Sequence, residues 1–262
     1  MKTSHGRERL VLGSLSVAVV LAAWEGLGRG WLPWKIDAVF ISAPTAIANT
    51  AVRLFRTGEI WNDLRVSGME FALGFVIAVA AGVAIGLVAG WNRHAYFALD
   101  PFFSALNATP RVALLPLIII WVGIDIWSKV LVVFLGAIVP VYLNVVAGVR
   151  TTDARLLRVA QSFGCSRAHL FRTVILPGSV PFLLTGLRLG VGRAMVGIVV
   201  GELYAATAGV GFMITVAGAT FQTDKVFVGV LLIALTGALM IEGLGRLERR
   251  FETWRRPVGA AT

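Results

Sequence analysis

Long apolar blocks alternate along this chain with shorter polar segments. Six blocks stand out, at residues 10–28, 69–90, 101–122, 126–147, 180–203 and 226–245. A bilayer core takes roughly 17–25 residues of helix to cross. Backbone groups in hydrocarbon must be satisfied within their own segment, so each block predicts a helix and not an open strand. The expected fold class is an all-α integral membrane protein with six transmembrane helices, the chain 1–262 forming one transmembrane domain.

Finer periodicity appears inside two blocks. Gly74, Ala78, Gly82, Gly86 and Gly90 repeat every fourth residue, which puts small side chains on one helix face and lets another backbone come close. Gly186, Gly190, Gly197 and Gly201 repeat the device in the fifth block, for packing within one subunit or between two.

The polar segments carry patterns of their own. Trp31, Pro33 and Trp34 suit the headgroup boundary. Beyond Ser42-Ala43-Pro44, the stretch to Leu64 predicts an amphipathic surface helix, with Ile47, Ala51, Leu54 and Phe55 on one face. Residues 153–177 read as two short helices. Asp153 is the expected N-cap of the first, Ala154 to about Phe163, whose Leu156, Leu157, Ala160 and Phe163 share a side. Gly164 ends it, and Ser166 caps a second helix, with Leu170, Phe171 and Val174 on its apolar side, up to Ile175. Pro177 is expected to stop that helix. Helices this short are marginal alone, and they dock either on a partner protein or on the ends of the spans.

Composition agrees with a lipid-solvated chain. Hydrophobic residues make up 57%, charged residues only 15%, and mean hydropathy is +0.82; soluble domains carry about a quarter charged residues. The net charge of +10 comes from Lys and Arg at the ends of the apolar blocks, with no run suited to a phosphate backbone, so nucleic acid is not expected as a partner. Fourteen Lys and Arg lie in 1–9, 91–99, 148–178 and 246–262, against five in 29–67, 123–128 and 204–224. That asymmetry places both termini and the 153–177 loop in the cytoplasm. No small-x-small cleavage site follows the basic N-terminus, so the first block reads as an uncleaved span. One cysteine, Cys165, and three scattered histidines predict neither a disulfide nor a metal site.

Charges inside the apolar blocks are costly, at about 2.5–3.5 kcal/mol each at mid-membrane, and should face protein or water. Arg111, Arg188, Arg193 and Glu202 are the candidates for a translocation path. The arginines either flank the route of an anionic solute or pair with carboxylates and carbonyls to lock the spans together. Phosphate-cradling G-x-x-x-x-G-K-[ST], H-E-x-x-H and G-x-S-x-G elements are all missing.

The loop order Val159-Ala160-x-x-x-Gly164 followed by Ile175-Leu176-Pro177 resembles the EAA loop of binding-protein-dependent ABC transporter permeases. Pro110-Arg111-Val112-Ala113-Leu114-Leu115-Pro116-Leu117, Trp121-Val122-Gly123-Ile124, Ser128-Lys129 and Pro140-Val141-Tyr142-Leu143-Asn144 are similar to the nitrate/sulfonate/taurine-type branch. So are Thr185-Gly186-Leu187-Arg188, Gly201-Glu202-Leu203 and Gly209-Val210-Gly211, and the likeness spans about residues 40–250. Arg158 departs from the pattern, standing where the loop's glutamate is expected.

The resemblance implies a single permease domain in a bacterial inner membrane. In it, Arg158, Val159, Ala160, Phe163, Gly164, Ser166, Leu170, Phe171, Leu176 and Pro177 would couple to an ATPase. It further implies a homodimer in membrane lipid, two ATPase subunits that hold ATP and Mg²⁺ so that this chain binds no cofactor, and an extracytoplasmic solute-binding protein. The solute would be small and anionic, of sulfonate, taurine or nitrate type. The competing class is a secondary transporter or channel working without ATP; no repeat between the two halves favours it.

Overall fold

A computed structural model describes residues 2–31, 38–152 and 154–251. Asp153, the expected N-cap, and Pro33 and Trp34 lie outside the described residues. Every regular element among the described residues is helical. Among the described residues, five helices are long and apolar enough to cross a membrane, and a sixth crossing is completed if a bent pair counts as one span.

The order begins with α1 (Lys2–Gly28), the four-residue α2 (Ala38–Ile41), α3 (Pro44–Thr57) and α4 (Glu59–Trp91). The predicted surface helix ends at Gly58, whose φ of +83° makes a left-handed turn straight into α4. Of its expected apolar face, Ile47 and Leu54 are buried, whereas Ala51 is half-buried and Phe55 exposed. Val11 to Leu21 of α1 are exposed throughout, so the first span sits at the periphery.

The third span is not continuous. Arg93–Ala108 (α5) and Leu115–Val122 (α6) are joined by a 3₁₀ turn, Arg111–Leu114, and the two limbs bend by 93°. Pro110 has no amide hydrogen to continue the ladder, and it holds Thr109 extended at ψ 128°. The expected helix over 101–122 is thereby corrected to a broken one.

α7 (Ile126–Arg150) is the centre of the bundle. α4 closes on one side of it through the small-residue stripe. A Cβ at Gly74 would lie 2.6 Å from the Val130 carbonyl oxygen, one at Gly86 2.9 Å from Val145, and one at Gly90 2.6 Å from Val149. α10 (Leu176–Ala205) closes on another side, with Gly186 against Asn144 and Pro140, and Gly197 against Val132. Both stripes therefore pack within one chain. Phe71, Ala78, Val133, Ala137, Tyr142 and Val191 form the core where the three helices meet, and Tyr142 stacks on Phe103 of α5.

The expected loop helices appear as α8 (Ala154–Ser162) and α9 (Arg167–Leu170). Pro177 does not stop the second of them. A π turn, Phe171–Ile175, leads from α9 into α10, and Arg167–Ala205 forms one helical run. Pro177 sits in the first turn of α10, and the wider π geometry accommodates the amide hydrogen it lacks. Between α10 and α12 (Thr223–Phe251), the ten-residue α11 (Val210–Ala219) tucks Val210, Gly211, Met213 and Ala217 inward. It lies in what the sequence presented as an outer connection.

Candidate functional site

The α8–α9 segment owes its shape to a tight turn. Gly164 takes φ +73°, and the Cys165 amide donates to the Ala160 carbonyl at 3.2 Å, closing the end of α8 in the six-to-one manner of a Schellman turn. Ser166 caps α9, its Oγ accepting from the His169 amide at 3.3 Å. The two helices then behave differently. Leu170 and Ile175 are buried and Phe171 meets Trp91 edge-to-face with ring centroids 5.2 Å apart, so the second is fixed to the membrane bundle. On α8, Leu157 and Ala160 are half-buried. Leu156, Val159 and Phe163, three and four residues apart, point away with 56%, 55% and 84% of their surface exposed. Together they make an exposed apolar stripe on a short helix, with Phe163 at its tip. Arg158, Leu176 and Pro177 are exposed as well.

Two of the intramembrane arginines come together. The bend at Pro110 presents Arg111 from the 3₁₀ turn, and α10 presents Arg193; both line one cavity of about 280 Å³. Asn107, Thr109, Gly136 and Val196 contribute to its polar and apolar walls, and no acidic residue among the described residues lines it. Arg193 Nη1 donates to Asn107 Oδ1 at 3.2 Å, and Arg111 Nη1 reaches the Gly136 carbonyl at a long 3.4 Å. Nε and Nη2 of Arg111 are buried without a hydrogen-bond partner among the described residues. Two like charges and unspent donors around one space form a site that an anion would complete.

Residues 82–253 match the family described as the inner membrane component of binding-protein-dependent transport systems. The chain belongs to this family. Among its relatives, the permease is 37% identical over 257 residues to the aliphatic sulfonates transport permease protein SsuC of Bacillus subtilis, covering 97% of this chain and 92% of that one. It is 35% identical to the taurine transport system permease protein TauC of Escherichia coli, with 95% and 90% covered. Among solved structures, an inward-facing form of the MetNI methionine ABC transporter superposes with a TM-score of 0.60 at 18% identity, covering 73% of the permease and 94% of that chain; the likeness is one of fold. The permease is thus a multi-pass inner-membrane transport component and not an enzyme.

The other two candidate residues of the permease are bonded elsewhere. Arg188 Nη2 pairs with Glu248 Oε2 at 2.7 Å, and Thr185 donates to the same carboxylate, which straps α10 to α12. Arg188→Ala is expected to lower thermal stability in detergent by about 2–4 °C, the equivalent of roughly 1 kcal/mol in a chain of this size. Solute preference should not change; competition uptake assays and a melting curve separate the two effects.

Glu202 is 2% exposed and accepts from the Ser67 hydroxyl and, at 2.6 Å, from the Gly211 amide. The Val210 amide donates to Ser67 Oγ at 2.8 Å and the Gly209 amide to Asp63 Oδ1 at 2.9 Å. Gly209-Val210-Gly211 is therefore a run of backbone donors latched onto α4 and α10. Lys129 closes the same cluster, its Nζ on the carbonyls of Ile124, Asp125 and Ala205 and 3.5 Å from Glu70. Lys129, Asn107 and Glu248 were not singled out in the sequence as partners of these charges, since each sits far along the chain from the residue it serves.

Proposed function

We propose that this permease carries a small organic anion of sulfonate type across the inner membrane. It would act as one half of a homodimer driven by two separate ATPase subunits and supplied by an extracytoplasmic solute-binding protein. The observation that carries the reading is the single cavity shared by Arg111 and Arg193, with no acidic residue in its lining. A guanidinium matches a planar or tetrahedral oxyanion with paired donors, and in a low-dielectric setting it replaces part of the water the anion gives up. The transport roles carried by the names of the sulfonate and taurine relatives agree with that chemistry.

Energy enters from the other end. The excess of Lys and Arg in 1–9, 91–99, 148–178 and 246–262 supports a cytoplasmic position for both termini and the α8–α9 segment, where the Leu156–Val159–Phe163 stripe would meet the ATPase. ATP and Mg²⁺ belong to that partner. Closure of the ATPase moves the permease only if the docked surface binds its two conformations with different affinity. Arg158, at the position of the family's glutamate, sits on the same helix and selects a partner groove suited to a cation.

The test is uptake by proteoliposomes holding the permease, its ATPase and its binding protein. Arg111→Gln and Arg193→Gln should each lower transport of an alkanesulfonate about tenfold to a hundredfold, the worth of a charge-assisted hydrogen bond, with ATPase association intact. Transport of the sulfonate at the wild-type rate by both variants would remove these arginines from the path.

A further inference from the structure

A second basic site lies away from the Arg111–Arg193 cavity. Where the end of α4 meets the α9 segment, a groove of about 730 Å³ is walled on one side by Arg167 and Arg172 and on the other by Trp91 and Asn92. Both arginines are exposed, and neither forms an ion pair with an acidic residue among the described residues. Asn92 uses its Oδ1 on the amides of His94 and Ala95, which leaves only its Nδ2 donors for a ligand. The polar rim thus consists of donors and positive charge.

The floor is of the opposite character. Ala84, Leu87 and Val88 of α4 form it, and the exposed face continues along the same helix through Ala80, Ile77 and Leu73. From Val88 to Ile77 the helix runs about 16 Å at 1.5 Å per residue, close to one leaflet of a hydrocarbon core of about 30 Å. Trp91 stands at the junction of rim and floor, the depth at which indole rings settle in a bilayer. A site with a cationic rim and a floor running into hydrocarbon fits a molecule with an anionic head and a long apolar tail. A docked soluble domain would meet only the rim.

We propose that this groove binds an anionic phospholipid, its phosphate on Arg167 and Arg172 and one acyl chain along Val88, Ala84 and Ile77. The lipid would bridge a transmembrane helix and the helix that follows the coupling turn, and so would set how firmly the α8–α9 segment is held for docking. Assignment to the cytoplasmic leaflet rests on the orientation proposed above, but the binding itself does not.

The experiment uses the complete transporter complex in nanodiscs of phosphatidylglycerol and phosphatidylcholine in equal parts, or of phosphatidylcholine alone. After transfer to mild detergent, retained phospholipid is measured by mass spectrometry alongside ATPase activity. Wild-type complex should retain phosphatidylglycerol and hydrolyse ATP faster in the mixed discs. The double variant Arg167→Gln/Arg172→Gln should retain about thirtyfold less, each basic residue at an anionic membrane surface being worth about fivefold, and its ATPase activity should be the same in both discs. Arg167→Lys/Arg172→Lys, which keeps the charge, should recover much of the retention. Undiminished phosphatidylglycerol on the Gln variant would overturn the proposal. Loss of the ATPase subunit in both lipids with lipid retention unchanged would also overturn it, and would assign the arginines to the protein interface. Because lipid retention is read independently of uptake, failure here leaves the anion-path reading intact, and failure of that reading leaves this one.

Discussion

Phe163→Asp should leave the permease inserted, folded and as heat-stable as the wild type, yet unable to hold its ATPase. The side chain is 84% exposed at the end of α8, so its loss breaks no internal packing. Its neighbours on the stripe, Leu156 and Val159, are also more than half exposed, which makes Phe163 the tip of an apolar surface left uncovered among the described residues. Truncating an aromatic anchor at a protein interface commonly costs 2 kcal/mol or more, about thirtyfold in affinity, and a carboxylate in its place adds its own desolvation. Co-purification of the ATPase and ATP-driven uptake should both fall at least that far. Full retention of the ATPase by the Asp variant would mean that α8 is not the docking element.

Glu202→Ala is expected to do the opposite, harming the fold while touching neither the coupling surface nor the Arg111–Arg193 cavity. Removal of the carboxylate strands the Gly211 amide and the Ser67 hydroxyl in a buried site. Leaving a buried donor unpaired costs about 1–3 kcal/mol for each of the two groups. The outcome to look for is a sharp fall in monodisperse protein after detergent extraction, with Glu202→Gln intermediate because its amide oxygen still accepts one bond. A well-folded Ala variant with altered solute preference would transfer Glu202 to the translocation path.

Much of this arrangement can be traced to local sequence. The α4 stripe was readable because a period of four is a geometric property of one helix, and Gly74, Gly82, Gly86 and Gly90 do meet α7. The Gly164 turn was readable for the same reason: a glycine between two amphipathic runs has few other uses. The break between α5 and α6 was not read, although Pro101, Pro110 and Pro116 all lie within 101–122, because hydropathy averages over a bend. Pro177 misled in the other direction. It signals a helix end only if the helix remains an α-helix, and the π turn before it removes that condition. At the candidate site, Arg111 and Arg193 were visible as costly charges, but no periodicity links a residue after a proline bend to one in the middle of α10. Their meeting, and the role of Asn107 between helices, belong to tertiary structure alone.

The π turn also carries a mechanical meaning. By joining the α9 segment to α10 with no break in the helical backbone, it makes Arg167–Ala205 a single helical rod of 39 residues. Such a rod is about 58 Å long at 1.5 Å per residue, so a tilt of about 5° at one end displaces the other by about 5 Å. Arg193 rides on that rod. A small rocking of the α9 end would swing one wall of the Arg111–Arg193 cavity against Arg111, which is held by a separate bent helix, and the distance between the two guanidiniums would then follow the tilt of the rod.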